Sequence, residues 1–137
     1  MLSKKENDFV ESEKVAALLR GDPNVCVEAA KRMADNLARG RWLFAIIDAY
    51  TAPEDIKQKI LKAQEKSFSI IFYVDSIKNY WNMNHYDIFN FLIEGINTLT
   101  DEHRKIFICI SRRAFEEMGY SIPAVYANHF QILDYTF

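Results

Sequence analysis

Glycine and proline are scarce in this chain, with four and three among 137 residues. A sandwich of many short strands needs more turn residues, and a disordered chain needs fewer apolar ones, so both classes are disfavoured. No apolar run reaches the roughly 18 residues of a membrane-spanning helix. The opening residues MLSKKENDF contain no apolar signal region, so the expectation is a cytoplasmic protein with no membrane partner. A formal charge of −2 leaves no basic coat for nucleic acid. Only two cysteines occur, Cys26 and Cys109, each among apolar neighbours, which reads as two buried thiols in separate helices.

Motifs for chemistry are missing as well. The glycines at 21, 40, 95 and 119 stand alone, so neither a dinucleotide fingerprint nor a phosphate-binding loop is present. No GxSxG elbow presents a nucleophilic serine. His85, His103 and His129 lie outside any HExxH or CxxC spacing, and the expectation is no cofactor and no metal.

What the chain does have is apolar and aromatic mass, with ten Phe, seven Tyr and two Trp. The large apolar side chains are densest between Ser67 and Leu99. Within it, Ile88, Phe89, Leu92, Ile93, Ile96 and Leu99 recur at helical spacing, leaving Asp87, Asn90, Glu94 and Asn97 on a narrow polar stripe. That pattern predicts a central helix over about 85–99.

Around it the chain reads as further helices. Residues 1–8 are charged and expected to fray, and a helix follows from Phe9 to Arg20, closed by Gly21. Asp22-Pro23 starts another, to about Arg39. Arg41–Tyr50 reads as a short buried helix, and Thr51-Ala52-Pro53-Glu54 as a capping box for the next. Ser67–Trp81 alternates as a strand does, yet also clusters on one helical face. With no second stretch to pair it, helix is preferred. Thr100 and Asp101 cap a helix closed by Gly119, and Ser121 begins a last one to about Asp134. The fold class expected is all-α, a compact single domain over 1–137 built from six to eight helices.

The segment AFEEMGYSIPAVYANHF, Ala114 to Phe130, is similar to the helix-turn-helix of TetR-type repressors, which also runs Gly-x-Ser to Tyr and His-Phe. It departs from that family in its Tyr-to-His spacing and in lying at the end of the chain. It also has no Lys or Arg after Arg113 to contact phosphates. A DNA-binding regulator using Gly119–Phe130 is therefore an alternative, and nucleic acid is not the expected partner. A small helical enzyme or ligand-binding protein, with His85, Asp87 or His103 converging on a pocket, is a further one.

The surface provides the leading reading. Residues 67–137 carry five Lys/Arg against eight Asp/Glu. Tyr80, Trp81 and Tyr86 flank a turn at Asn82–His85. Asp87, Asn90, Glu94 and Asn97 lead from it to Asp101 and Glu102. Aromatics with polar tips, beside carboxylates, suit docking onto a basic protein. In length, acidity and helical layout the chain resembles the small immunity proteins that bacteria pair with toxins. That resemblance implies a non-enzymatic, stoichiometric inhibitor. Its partner would be a cognate protein toxin, for example a nuclease, and these nine residues would be the contacts.

Overall fold

The computed structural model describes residues 1–37, 40–48, 50–76, 105–117 and 130–135. Its elements are helix α1 (Lys4–Glu11), strand β1 (Ala16–Arg20), helix α2 (Pro23–Asp35), strand β2 (Trp42–Ile47), helix α3 (Pro53–Lys66) and strand β3 (Ser69–Val74). Strand β4 (Ile106–Ile110), helix α4 (Arg112–Glu117) and strand β5 (Gln131–Asp134) complete them. The strands form one sheet in the order β2-β3-β4-β1-β5, and every pairing in it is parallel. This is an α/β fold, and it overturns the all-α bundle of six to eight helices.

The correction has one physical cause. A parallel sheet is covered on both faces, so its strands are apolar without alternation, and a run apolar on every side satisfies any period. AALLR, SIIFYV and IFICI are such runs, five or six residues long, and WLFAII, at the sheet edge, is as apolar in sequence although its burial alternates. Length separates the two periods, since a six-residue helix cannot span a core that a six-residue strand crosses. Arg41–Tyr50 thus contains β2 rather than a helix. Ser67–Trp81 contains β3, whose partners β2 and β4 were themselves read as helices. The predicted helix Phe9–Arg20 resolves into the end of α1 and strand β1, and Cys109 sits in β4. The expected central helix at 85–99 lies outside the described residues.

Two helical readings match the structure closely. Asp22 caps α2, its Oδ1 accepting from the backbone N–H of Asn24 at 2.9 Å and of Val25 at 3.2 Å, with proline in the first turn. Helix α3 starts at Pro53 and ends at Ser67, which takes a left-handed conformation (φ 59°). Its cap is Ala52 without a side-chain bond, because the Thr51 hydroxyl is turned to Asp48 instead. The charged N-terminal stretch includes α1, begun by a capping box between Ser3 and Glu6.

Side chains of alternate strand residues build two cores. On one face Leu18, Ile70, Phe72, Ile106, Ile108 and Ile110 meet Ile56, Ile60 and Ala63 of α3, Ala114 of α4, and Phe130. On the other, Leu19, Ile71, Phe107 and Cys109 meet Phe9 of α1 and Cys26, Ala29, Ala30, Met33 and Ala34 of α2. The three alanines let α2 approach the sheet closely, and Phe9 packs edge-on against Phe107 at 5.8 Å.

Gly21 ends β1 where the backbone turns under β5. The Tyr135 N–H donates to the Arg20 carbonyl at 2.7 Å. Gly21 has φ +142°, and a Cβ there would collide with the Tyr135 carbonyl. Gly21→Ala is therefore expected to destabilise the fold by about 2–4 kcal/mol, read as a lower urea midpoint with an unchanged slope.

Candidate functional site

In an open α/β sheet, ligands gather at the carboxyl ends of strands, where neighbouring strands lead to opposite faces. Here that place lies between β1 and β4. Strand β1 continues into α2 on one face, while β4, its neighbour, continues into α4 on the other. The residues following the strands are Asp22 after β1, Asp48 after β2, Asp75 and Ser76 after β3, Ser111 and Arg113 after β4, and Tyr135 after β5.

Their polar groups are engaged in holding the fold. Ser76, 2% exposed, donates from Oγ to the Glu117 carboxylate at 2.9 and 3.0 Å. Ser111 donates from Oγ to the Asp75 carbonyl at 2.8 Å and accepts from the Ala114 N–H at 3.0 Å, which caps α4. Arg20 grips Asp134 through two bonds of 2.7 and 3.0 Å. Asp22 caps α2, and Asp48 accepts from the Tyr50 N–H and the Thr51 hydroxyl. The Arg113 guanidinium lies 3.8 Å from Asp75. Among the described residues no group of three His, Cys, Asp or Glu could hold a metal ion.

Groups with displaced pKa values are structural too. Burial lowers the Lys105 ammonium to about 8. Its Nζ donates to the Ser12 carbonyl at 3.0 Å and the Lys14 carbonyl at 2.5 Å and sits 4.5 Å from the centre of the Phe9 ring. This clamps the α1–β1 loop at the amino end of the sheet. Burial pushes the Cys26 thiol up to about 12 and raises Cys109 as well, so both free thiols are inert.

Glu6 is the most heavily bonded carboxylate among the described residues. It is 1% exposed and accepts from Tyr135 Oη at 2.5 Å, Arg32 Nη2 at 3.1 Å and the Ser3 N–H at 3.1 Å. Burial alone would raise its pKa; the bonds from Tyr135, Ser3 and Arg32 together outweigh it and set the pKa below its ordinary value. The network ties α1 to α2 and to the residue after β5.

Among the described residues, one surface lacks such satisfaction. Strand β2 is an edge of the sheet, and its six residues WLFAII include no charge and no proline. Edge strands are ordinarily protected by one or the other. Ala45 and Ile47 face the α3 core, so Trp42, Phe44 and Ile46 face the other side. Trp42 is covered there by the end of α2, its Nε1 donating to Asp35 at 3.0 Å. Phe44 and Ile46 are 42% and 54% exposed. Between β2 and α3 lies a depression of about 470 Å³ lined by Phe44, Ile46, Ile47, Asp55, Ile56 and Lys59.

The contact residues expected from the sequence, Tyr80, Trp81, Tyr86, Asp87, Asn90, Glu94, Asn97, Asp101 and Glu102, all lie outside the described residues. Of the helix-turn-helix segment Gly119–Phe130 only Phe130 is described, and it is 2% exposed in the α3 core. Phe44 and Ile46 went unnoticed because edge position follows from strand order. The only local signal was an uncharged apolar run. No family model matches the chain, and a comparison with curated proteins finds no match.

The Glu6 network sets a pH dependence. Because its pKa is lowered by folding, its contribution is complete above the ordinary value of 4.5 and is lost as pH falls through the folded value. Glu6→Gln is expected to cost about 1–3 kcal/mol at neutral pH. Melting followed by circular dichroism from neutral to acid should show the wild-type advantage shrinking below 4.5.

Proposed function

We propose that the chain is a protein-binding module that acts by stoichiometric association rather than catalysis, and that the β2 edge is its docking surface. The observation that carries this reading is the contrast within one sheet. The polar groups at the carboxyl ends are engaged in caps and ion pairs, while Phe44 and Ile46 lie exposed on an uncharged edge. An edge of this kind captures an extended segment by continuing the sheet: backbone bonds supply affinity and alternate side chains supply selectivity.

The resemblance to small bacterial immunity proteins gives the finer form of the proposal, a cytoplasmic inhibitor that neutralises a cognate toxin. No described helix is long and apolar enough to cross a membrane, which accords with that setting. Immunity genes lie beside those of their toxins, so the partner to try is the product of the adjacent open reading frame.

Mixed with that product, the purified chain should form a one-to-one complex in size-exclusion chromatography. Ile46→Lys should weaken it at least about tenfold, some 1.4 kcal/mol, with far-ultraviolet circular dichroism unchanged. A complex indifferent to Ile46→Lys would remove the edge from the reading, and no complex would remove the toxin partner.

A further inference from the structure

The edge strand has a feature that the docking reading alone does not use: it is complementary to itself. From the register of β2 on β3, and from the Ser69 N–H donating to the Arg41 carbonyl and the Asp75 N–H to the Ile47 carbonyl, the odd-numbered residues of β2 bond inward. The even-numbered residues, Trp42, Phe44 and Ile46, therefore turn their N–H and C=O groups outward, as parallel pairing requires. Their side chains are the ones on the face where Phe44 and Ile46 are exposed.

The charges beside this edge are biased from end to end. Asp35, on Trp42 beside Lys31, is an acid at the otherwise basic amino end, and Lys59 lies next to Asp55. Asp55 and Lys59 line the depression against β2, and Lys62 and Lys66 continue the same helical stripe of α3. Asp48 and Asp55 mark the carboxyl end of β2. Arg41 and Lys66 mark its amino end, where the two cations lie 5.9 and 6.0 Å from the centre of the same Phe68 ring. A second copy set parallel would bring like charges together. Set antiparallel, it brings the acidic end of each copy to the basic end of the other.

We infer that the β2 edge takes a second copy of this chain, antiparallel, about a two-fold axis through Phe44. This rests on the reading of β2 as the docking edge, and it names the occupant that edge takes when the chain is alone. Outward residues pair with outward residues in this register, Phe44 with Phe44 and Trp42 with Ile46. The pairing makes roughly six backbone bonds across the axis, and Phe44 and Ile46 of the two copies close over each other beside Tyr73. Arg41 falls opposite Ile47 of the other copy, one residue from its Asp48. The result is one continuous ten-stranded sheet with an isologous interface.

Sedimentation of the full chain across a concentration series reaching about 100 µM tests this. The expected species has twice the 16.0 kDa chain mass, and Phe44→Lys returns it to a monomer with an unchanged circular dichroism spectrum. Disulfide trapping tests the register. Directly paired residues stand about 5.5 Å apart, within disulfide reach, and the native thiols are buried. Oxidation should cross-link Phe44→Cys with itself. It should cross-link Trp42→Cys only when mixed with Ile46→Cys, a second readout should Phe44→Cys fail to fold. A monomer at every concentration, a dimer untouched by Phe44→Lys, or self-linking of Ile46→Cys would overturn the inference. A monomeric chain that still needs Ile46 to bind another protein would overturn the second copy alone and leave the docking edge standing.

Discussion

A parallel sheet whose middle strands must be dry on both faces governs this molecule. Strands β3, β4 and β1 lie in its centre, and Ile70, Ile71, Phe72, Phe107, Ile108, Leu18 and Leu19 are at most 2% exposed. Burying one such side chain is worth about 1.5–3 kcal/mol, and both surfaces of the sheet contribute. Everything else is placed by that requirement. Helices α1 and α2 close one face and α3 and α4 the other. Alanines appear where α2 lies on the sheet, and the buried Lys105 and Glu6 are accepted only because each has its bonds satisfied.

The same requirement explains how much could be read from the residues in order. Helix α2 was legible because Asp22-Pro23 carries its start in two adjacent side chains, and α3 because Ile56, Ile60 and Ala63 repeat at helical spacing between acidic and basic ends. The strands were not, since a doubly buried run such as IFICI is apolar at every position, one such as SIIFYV fits a strand period and a helical one alike, and pairing is a relation between distant segments. The Ser3–Glu6 capping box was available as an S-x-x-E pattern ahead of α1, yet the charge of the first residues obscured it. At Thr51 the same pattern misled: its hydroxyl bonds Asp48 and leaves α3 uncapped by a side chain. Phe44 and Ile46 could not be singled out by composition, because exposure there is set by β2 being outermost.

Polar chemistry and apolar exposure are thus segregated. The ends of the strands hold serines, carboxylates and arginines that brace turns and caps, and the Glu6 network fastens the first helix to the last strand. The lateral rim at β2 carries the surface without internal partners among the described strands. In a chain arranged this way the polar groups brace the turns and caps around an apolar core, and the exposed apolar side chains Phe44 and Ile46 lie at its side.

Strand order has a further consequence, for biosynthesis. Among the described strands β1 is synthesised before the others, yet both its neighbours, β4 and β5, come after β2 and β3, with Ala16 aligned to Ile106 and Ala17 to Gln131. While the ribosome is still making the middle of the chain, Leu18 and Leu19 have no sheet to join. Closure waits for the final segment, a highly non-local step of the kind that folds slowly. The nascent polypeptide therefore passes through a long interval with Leu18 and Leu19 unsheltered, which is when a chaperone would engage it.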